Sequence, residues 1–339
     1  MTEHDETTNT DAVVDVRDLR VHFPVRRGVL GAVSDYVKAV DGVTFSVARA
    51  EIVALVGESG CGKTTTAQAI AGLLRATSGR ISLAFDSLPQ HTVDWDGADR
   101  ASRKAVRRRM QMIFQGPYSS LDPRQTVRAI LEEPLIIHSI GSPKERLPRI
   151  QELLESVGLS NEYLERYPHE FSGGQRQRIG IARALATDPE LIIADEPVSA
   201  LDVSIQAQII NLLLDLKTRR KQTQLFISHD LAVVRHMADR IAVMYQGKIV
   251  ESGSEAALFG SPRHPYTLLL LDSVPVPGKG RKKHDPATVA EDAGMPGATE
   301  GCSFYPRCPR RRDECRKSVP PLTAGAAGAT AAACFNPVS

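Results

Sequence analysis

Short apolar runs alternate with longer segments of helical periodicity from residue 13 to about residue 250. Three of these runs are continuously apolar: residues 52–56, 191–194 and 225–227. Continuous apolar runs of this length are typical of strands that are buried on both faces, as in a mostly parallel sheet covered by helices. The pattern therefore predicts an α/β domain over residues 13–253.

The rest of the chain has different patterns. Residues 1–12 lack apolar periodicity, which predicts a disordered tail. Residues from about 116 to 180 are helical and polar with no central strand, so we expect a helical subdomain inserted in the core. Residues 245–248 predict a hairpin turn between strands at 241–244 and 249–250. Residues 275–300 are rich in Pro, Gly and charge and predict a linker within a C-terminal extension, 254–339.

Composition and charge exclude some classes of protein. The 42 basic and 40 acidic residues leave a net charge of +2, which disfavours a nucleic-acid binder held by a broad basic field. No run approaches the roughly 18 apolar residues that span a bilayer, and the first twelve residues do not resemble a signal peptide. These features predict a soluble cytoplasmic protein. The basic residues at 103, 104 and 107–109 predict a solvated helix face, with a docking or lipid-facing role as the alternative.

Residues 57–64, Gly-Glu-Ser-Gly-Cys-Gly-Lys-Thr, match the phosphate-loop pattern between a strand and a segment of helical periodicity at 65–74. Its glycines allow backbone N–H groups to surround an anion, and the helix that follows adds its positive dipole end. Lys63 is expected to reach the β- and γ-phosphates, and the Thr64 hydroxyl to bind Mg²⁺. The loop residues predicted to hold nucleotide are Gly57, Ser59, Gly60, Cys61, Gly62, Lys63, Thr64 and Thr65. The alternative is an ordinary glycine-rich turn, and Cys61 is either a reactive thiol or a residue that only fills space.

Two adjacent acids, Asp195 and Glu196, end the second apolar run. Acids at the carboxyl end of a strand in an open α/β sheet face the ligand crevice. Phosphoryl transfer needs mainly positioning and charge neutralisation, so Asp195 is predicted to hold Mg²⁺ and Glu196 to polarise the attacking water. Taken without the phosphate loop, the pair is equally consistent with a helix cap and a surface charge.

Residues 171–175, Phe-Ser-Gly-Gly-Gln, resemble the signature motif of ABC ATPases, with Phe at the usual Leu position. Gln115 resembles the glutamine of the Q-loop, Asp202 ends a segment similar to the D-loop, and His229 resembles the switch histidine. Together with the phosphate loop these motifs follow the family's order. The resemblance implies an α/β P-loop NTPase of the ABC nucleotide-binding type, with a helical subdomain and a small Cys-containing C-terminal extension.

The resemblance also implies roles for these residues. Gln115 would contact Mg²⁺ and the attacking water, and His229 would donate a hydrogen bond to the γ-phosphate. The residues that would contact ATP held by a partner subunit are Ser172, Gly173, Gly174, Gln175 and Asp202. Phe23 is the candidate for stacking on adenine. The chain departs from many relatives after Gln115, where it has Gly116-Pro117 in place of Asp-Pro.

Residues 166–178, 200–206 and 262–267 resemble the oligopeptide and dipeptide importer branch of the family. The resemblance implies an ATPase at the cytoplasmic face of the membrane that powers uptake of peptides, of nickel or of another small solute. Its implied partners are two transmembrane permease subunits, a second ATP-binding subunit in a heterodimer, and an extracytoplasmic solute-binding protein. Alternatives are a soluble ABC ATPase of DNA repair or translation, an exporter ATPase and a plain P-loop kinase. The absence of sustained heptads and the single phosphate loop disfavour the soluble ATPases.

Four of the five cysteines, Cys302, Cys308, Cys315 and Cys334, lie in the last forty residues. Intervals of five, six and eighteen residues contain no Cys-x-x-Cys pair, which fits zinc poorly. Four thiolates are the usual ligands of an iron–sulfur cluster. Residues 302–309 also resemble the tail motif of relatives that carry a [4Fe–4S] cluster. A cluster, a zinc ion and unliganded cysteines all stay open, with the cluster favoured.

Overall fold

The computed structural model of the protein describes residues 11–27, 32–88, 92–116, 120–273, 300–326 and 328–338. The predicted tail lies mostly outside these residues, and Ala12 already begins the first strand. The predicted linker at 275–300 lies outside them except for Glu300, and so does Pro117 of the Gly116-Pro117 pair.

Two sheets form the core of the described chain. The strands are β1 (Ala12–Arg27), β2 (Ala32–Ala48), β3 (Ile52–Val56), β4 (Ser78–Ala84), β5 (Thr92–Asp94), β6 (Met110–Ile113), β7 (Leu191–Asp195), β8 (Thr223–Ser228), β9 (Arg240–Tyr245), β10 (Lys248–Ser254) and β11 (Ala331–Ala332). A four-stranded sheet has the order β2-β1-β4-β5 and a seven-stranded sheet the order β11-β10-β9-β3-β8-β7-β6. From β9 to β6 the neighbouring strands are parallel, whereas β10 and β11 pair antiparallel.

The predicted buried strands are confirmed, and burial on both faces explains their composition. In β3, Ile52, Ala54 and Val56 enter one hydrophobic cluster. Val53 and Leu55 enter a second cluster on the other face of the same strand. A strand with successive side chains in two cores has no solvent-facing position, so its sequence is continuously apolar instead of alternating.

The helices surround this core. They are α1 (Lys63–Ile70), α2 (Arg100–Arg109), α3 (Val127–Ile137), α4 (Pro143–Ser156), α5 (Gly173–Leu185), α6 (Val203–Arg220), α7 (Leu231–Met237), α8 (Glu255–Gly260), α9 (Pro265–Asp272) and α10 (Asp313–Lys317). Residues 120–172, all of them described, contain helices and turns and no strand. The helix after the phosphate loop is shorter than the predicted 65–74, because Gly72 has a φ of 66° in the left-handed region and ends it. Within the described residues, no helix has the length and apolarity needed to cross a membrane.

The described part of the C-terminal extension is joined to the core. Strand β11 pairs with β10 at the edge of the larger sheet. Beside it the fully buried carboxylate of Glu251 accepts hydrogen bonds from the backbone of Arg263 at 2.7 Å and of His264 at 2.8 Å, and from the Thr330 hydroxyl. A buried carboxylate is tolerated when donors satisfy its oxygens, so these bonds fix the extension to β10.

His264 lies in this junction and makes the fold sensitive to acid. Burial lowers the pKa of His264 to about 4, since the charged imidazolium is poorly solvated there. An unfolded histidine titrates at about 6.5, so the unfolded chain binds more protons below that pH. Neutral His264 therefore contributes up to about 3 kcal/mol to the free energy of unfolding above pH 6.5, and this contribution is lost as the pH falls towards 4. Urea denaturation across this range is expected to show the loss.

The matched variants are His264→Asn, which keeps an acceptor for the Tyr266 backbone N–H, and His236→Asn on the exposed face of α7. His264→Asn should flatten the fall in stability between pH 6.5 and 4, and His236→Asn should retain it. Equal slopes for all three proteins would show that His264 does not cause the acid sensitivity.

Candidate functional site

The predicted site residues follow four neighbouring strands of the larger sheet. The phosphate loop follows β3, His229 follows β8, Glu196 follows β7, and Gln115 comes two residues after β6. These strands are adjacent and parallel, in the order β3-β8-β7-β6, so their carboxyl ends meet at one edge. The sheet therefore brings together residues that are up to 172 positions apart, from Gly57 to His229.

The phosphate loop depends on glycine at two positions. Gly57 has a φ of 152°, and a Cβ there would lie 2.2 Å from the Met244 carbonyl oxygen. Gly62 has a φ of 107°, and a Cβ there would lie 2.2 Å from the Ala39 carbonyl oxygen. Gly62 is also the N-cap of α1 and provides no side-chain cap. The first-turn N–H groups of α1 are thus left without a side-chain acceptor, an arrangement suited to an anion.

Replacing Gly62 by Ala is expected to destabilise the protein by about 2–4 kcal/mol, because the new methyl group meets backbone and the left-handed conformation is strained. The measurement is urea denaturation of the nucleotide-free chain. Gly60→Ala is the matched control, because Gly60 also has a positive φ of 80° but a Cβ there meets nothing within 4 Å. The control should lose about 1–2 kcal/mol. Equal losses for the two variants would contradict the steric explanation.

Lys63 is buried and lies over its own loop. Its ammonium donates to the carbonyl oxygens of Gly57 at 2.8 Å and Glu58 at 2.9 Å, and lies 3.7 Å from the Cys61 sulfur. Burial raises the pKa of Cys61, although the positive charge of Lys63 opposes the shift. A buried thiol with a raised pKa is a poor nucleophile, so the structure favours the space-filling interpretation of Cys61. The other predicted loop residues lie at the exposed tip (Ser59 and Gly60) or half-buried in α1 (Thr65).

Thr64 and Asp195, both predicted to bind Mg²⁺, are in contact. The Thr64 hydroxyl donates to Oδ1 of Asp195 at 3.0 Å. Burial raises the pKa of Asp195, the hydrogen bond from Thr64 opposes the shift, and the charge of Glu196 adds to it. A divalent cation between these groups would supply the missing positive charge, and carboxylate and hydroxyl oxygens are the ligands that Mg²⁺ prefers. This pair can hold a metal at the edge of the phosphate loop.

Glu196 is held between the other two predicted catalytic residues. Its Oε2 accepts a hydrogen bond from the Gln115 amide at 2.9 Å, and its Oε1 lies 3.1 Å from Nδ1 of His229. Glu196 also has a φ of 45°, in the left-handed region that is unfavourable for a glutamate. Such backbone strain clusters at functional sites, where the surrounding structure maintains it. The carboxylate can accept a proton from water that Gln115 and His229 help to orient.

The residues predicted to face a partner's nucleotide start two other helices. Ser172 and Gln175 form a reciprocal capping box at the start of α5, with hydrogen bonds of 3.3 and 3.1 Å. Asp202 caps α6 by accepting from the Ile205 backbone at 3.0 Å. Gly174 packs so closely on α6 that a Cβ there would lie 2.4 Å from the Ile205 side chain. In the described part of the chain no hydrogen bond or ion pair joins these residues, or Gly173, to the phosphate loop. Phe23 lies on β1 opposite Val37, with 41% of its surface exposed.

The four C-terminal cysteines lie in one region. The Cys302 backbone N–H donates to the Cys315 carbonyl at 2.8 Å. Burial raises the pKa of Cys302 to about 11, and the nearby thiols of Cys315, Cys308 and Cys334 add to the shift. However, the described residues contain no group of three or more His, Cys, Asp or Glu side chains arranged to hold a metal ion. The predicted [4Fe–4S] cluster thus gains no support from this arrangement.

Sequence reasoning missed two residues that contact the phosphate loop from the C-terminal extension. The Arg307 guanidinium forms a two-pronged ion pair with the Glu58 carboxylate, at 2.8 and 2.9 Å. The Tyr266 hydroxyl accepts a hydrogen bond from the Glu58 backbone N–H at 3.0 Å. Both contacts cross more than 200 positions of sequence, and no local pattern could have indicated them.

A phosphate loop between a strand and a helix, with acids at the end of a parallel strand two positions away in the same sheet, defines a P-loop NTPase. Comparison with known families gives a narrower class. Residues 40–199 match the ABC transporter family, and residues 250–315 match the family described as oligopeptide/dipeptide transporter, C-terminal region.

Individual relatives cover nearly the whole chain. The oligopeptide transport ATP-binding protein AppF of Bacillus subtilis (strain 168) is 46% identical over 92% of this chain and 94% of that protein. OppF of the same organism, also an oligopeptide transport ATP-binding protein, is 49% identical over 82% of this chain and 89% of its own length. The chain therefore belongs to the ABC transporter ATP-binding proteins, as predicted, and is an ATPase of that family.

Solved structures share the fold. A dimeric ATP-binding cassette in a post-hydrolysis state with bound ADP and Pi has a TM-score of 0.61 and 28% identity, over 71% of this chain and 98% of that one. The cbiO1 protein of Clostridium perfringens, part of an ABC transporter complex, has a TM-score of 0.61 and 26% identity, over 74% of this chain and 91% of that one. The predicted α/β fold of the ABC type is thus confirmed.

Proposed function

We propose that the chain is the ATP-hydrolysing subunit of an ABC importer for di- or oligopeptides. The observation that carries the proposal is the combination of an ATPase region at 40–199 with an oligopeptide/dipeptide transporter C-terminal region at 250–315. Relatives named for peptide or oligopeptide transport align over both regions. Import of nickel or of another small solute is the second candidate, because solute choice belongs to other subunits of such a transporter.

The geometry supports a division of roles at the nucleotide. Lys63 leaves the loop carbonyls to bind the β- and γ-phosphates, while Thr64, Asp195 and Gln115 hold Mg²⁺. Glu196 accepts a proton from the attacking water, and His229 donates to the γ-phosphate. The contacts of Glu196 with Gln115 at 2.9 Å and with His229 at 3.1 Å support this arrangement. Phe23 is exposed enough to stack on adenine.

We also propose that the site is completed by a second ATP-binding subunit. Ser172 and Gln175 form the capping box at the start of α5, and Ser172 is exposed. Among the described residues, no hydrogen bond or ion pair joins this surface to the chain's own phosphate loop. Together with Gly173, Gly174 and Asp202, this surface would contact the partner's nucleotide. The solved relative with ADP and Pi is a dimer. The proposed assembly is a heterodimer, in which each chain contributes to both sites.

The remaining proposed partners are two transmembrane permeases and, through them, an extracytoplasmic solute-binding protein. The ATPase would then sit peripherally at the cytoplasmic face of the membrane, without contacting nucleic acid. Exposed apolar side chains of Leu73, Phe114 and Ile137 line a cavity that also contains Thr64 and Gln115. A permease segment seated there would lie beside the proposed metal ligands, which would couple transport to the nucleotide state.

The test is reconstitution of the chain with its membrane subunits and solute-binding protein in vesicles. Labelled di- and oligopeptides should accumulate only with MgATP, and peptide should stimulate hydrolysis. Stimulation by nickel and not by peptide would favour the second candidate. Failure to co-purify with membrane subunits would overturn the transport proposal and favour a soluble ABC ATPase.

The [4Fe–4S] cluster at the four C-terminal cysteines stays a prediction. Its support is the resemblance of residues 302–309 to the tail motif of relatives that carry such a cluster, because the described side chains form no group arranged to hold a metal. Protein purified without oxygen is expected to be brown, to absorb broadly near about 400 nm and to contain roughly four irons per chain. Cys61→Ala should retain this iron and Cys308→Ala should lose it. Colourless, iron-free protein would show that these cysteines serve packing alone.

A further inference from the structure

Among the described residues, the hydrogen bonds and ion pairs between the C-terminal extension and the phosphate loop all involve one loop residue, Glu58. Arg307 Nη1 donates to Oε2 of Glu58 at 2.8 Å and Nη2 donates to Oε1 at 2.9 Å. The Glu58 backbone N–H donates to the Tyr266 hydroxyl at 3.0 Å. The carbonyl oxygen of the same residue accepts from Lys63 at 2.9 Å. That carbonyl oxygen also accepts from the Cys61 backbone N–H at 3.3 Å. Every polar group of Glu58 is thus engaged, and two of its four partners belong to the extension.

Tyr266 and Arg307 are held in place by a packed cluster of aromatic side chains. Tyr266 and Phe304 are buried, with ring centroids 5.4 Å apart, and Tyr245 lies 4.6 Å from Tyr266 and 5.2 Å from Phe304. The Arg307 guanidinium lies 5.8 Å from the ring centroids of both Tyr245 and Phe304. Packed aromatic rings have few alternative rotamers. The cluster therefore fixes both the Tyr266 hydroxyl and the Arg307 side chain before they meet Glu58.

The geometry of the Glu58–Arg307 ion pair is of the kind that contributes measurably to the free energy of a conformation. Most solvent-exposed ion pairs contribute little, because water screens them and two side chains must be ordered. A two-pronged arginine–carboxylate pair with a preorganised arginine is the exception, since its geometry is fixed and both oxygens are bonded. The Arg307 side chain is only 21% exposed, and that of Glu58 is 41% exposed.

We propose that Tyr266 and Arg307 are positioning residues of the nucleotide site, which hold the phosphate loop in its binding conformation through Glu58. The proposal rests on the nucleotide-binding function proposed above. If the loop is already ordered before the nucleotide binds, no binding free energy is lost in ordering it. The loop surrounds the phosphates that ATP and ADP share. Loss of either contact should therefore weaken the binding of ATP and of ADP to the same extent.

The experiment measures Kd for MgATP and MgADP by isothermal titration calorimetry on the full-length chain. Arg307→Gln is expected to raise both values about tenfold, because it removes charged hydrogen bonds to the loop. Tyr266→Phe preserves the packing and removes only the acceptor, and it should raise both values about fivefold. Arg311→Gln is the matched control, since Arg311 contacts Tyr305 and the Pro306 carbonyl and should leave Kd unchanged.

A double-mutant cycle separates positioning from general stability. If the Glu58–Arg307 pair acts as one unit, Glu58→Gln with Arg307→Gln should bind no more weakly than Arg307→Gln alone. Arg307→Lys, which keeps the charge but not the fork, should restore part of the affinity. Additive effects in the cycle, or unchanged Kd values within twofold in folded Arg307→Gln and Tyr266→Phe proteins, would overturn the proposal.

Two controls identify which proposal has failed. The thermal midpoint of each nucleotide-free variant is measured, because a purely structural role lowers the midpoint without coupling Glu58 to Arg307 in Kd. Unaltered chain that binds neither MgATP nor MgADP would overturn the nucleotide-binding function itself, and the positioning proposal with it. Unaltered chain that binds both, with variants that match it, would overturn the positioning proposal alone.

Discussion

Replacing Glu196 by Gln is expected to lower ATP hydrolysis by about 10²–10⁴-fold, the range associated with loss of a general base. In the unaltered chain the Gln115 amide donates a hydrogen bond to Glu196 at 2.9 Å. The glutamine variant keeps the shape of the side chain and an oxygen that can accept this bond, but it lacks the basic carboxylate. MgATP binding should persist, because the phosphate-loop contacts do not involve Glu196. Nucleotide would then hold two ATP-binding subunits together, and a closed dimer should accumulate.

Steady-state ATPase activity of the assembled transporter checks the first effect, and size-exclusion chromatography with MgATP checks the dimer. Glu165→Gln is the matched control, since the Glu165 side chain is 74% exposed and pairs with Arg128 at the surface. Normal hydrolysis by the Glu196 variant would show that another group activates the water.

Replacing Lys63 by Ala is expected to raise Kd for MgATP about 100-fold or more. A buried ammonium that donates to phosphate oxygens contributes charged hydrogen bonds, each stronger than a neutral one. In the nucleotide-free protein Lys63 bonds to the carbonyl oxygens of Gly57 and Glu58, at 2.8 and 2.9 Å. Its charge is therefore already directed into the loop, so removing it should lower affinity more than catalytic turnover at saturation.

Calorimetric titration with MgATP measures this change. Lys144→Ala is the control, because Lys144 is exposed in the first turn of α4, in the helical subdomain. Its Kd should match that of the unaltered chain. If the Lys63 variant kept its affinity for MgATP, Lys63 would not bind the phosphates. The conformation of the loop would still depend on Gly57 and Gly62.

The sequence alone determined the local parts of the site. Lys63 and Thr64 were predictable because a phosphate loop needs specific residue types at fixed spacing. Residues 52–56, 191–194 and 225–227 were predictable as strands because burial on both faces imposes a continuously apolar run. The start of α5 is also local, since Ser172 and Gln175 cap the helix across three residues. The order of the motifs then indicated the family.

Local patterns were less informative at boundaries. The helix after the phosphate loop was predicted to extend to residue 74, although Gly72 could have indicated its end at Ile70. A change of composition after residue 253 predicted a C-terminal extension, but not how the extension contacts the core. Its described part adds β11 to the core sheet, a pairing of two residues that no periodicity reveals.

Only the tertiary structure decided which distant groups meet. Gln115, Glu196 and His229 converge because β6, β7 and β8 are adjacent and parallel, and strand order is not encoded in any one strand. The contacts of Tyr266 and Arg307 with Glu58 span 208 and 249 positions. They arise from packing of an aromatic cluster beneath the phosphate loop. Such packing depends on the shape of the whole chain, whereas a motif depends on chemistry within a few residues.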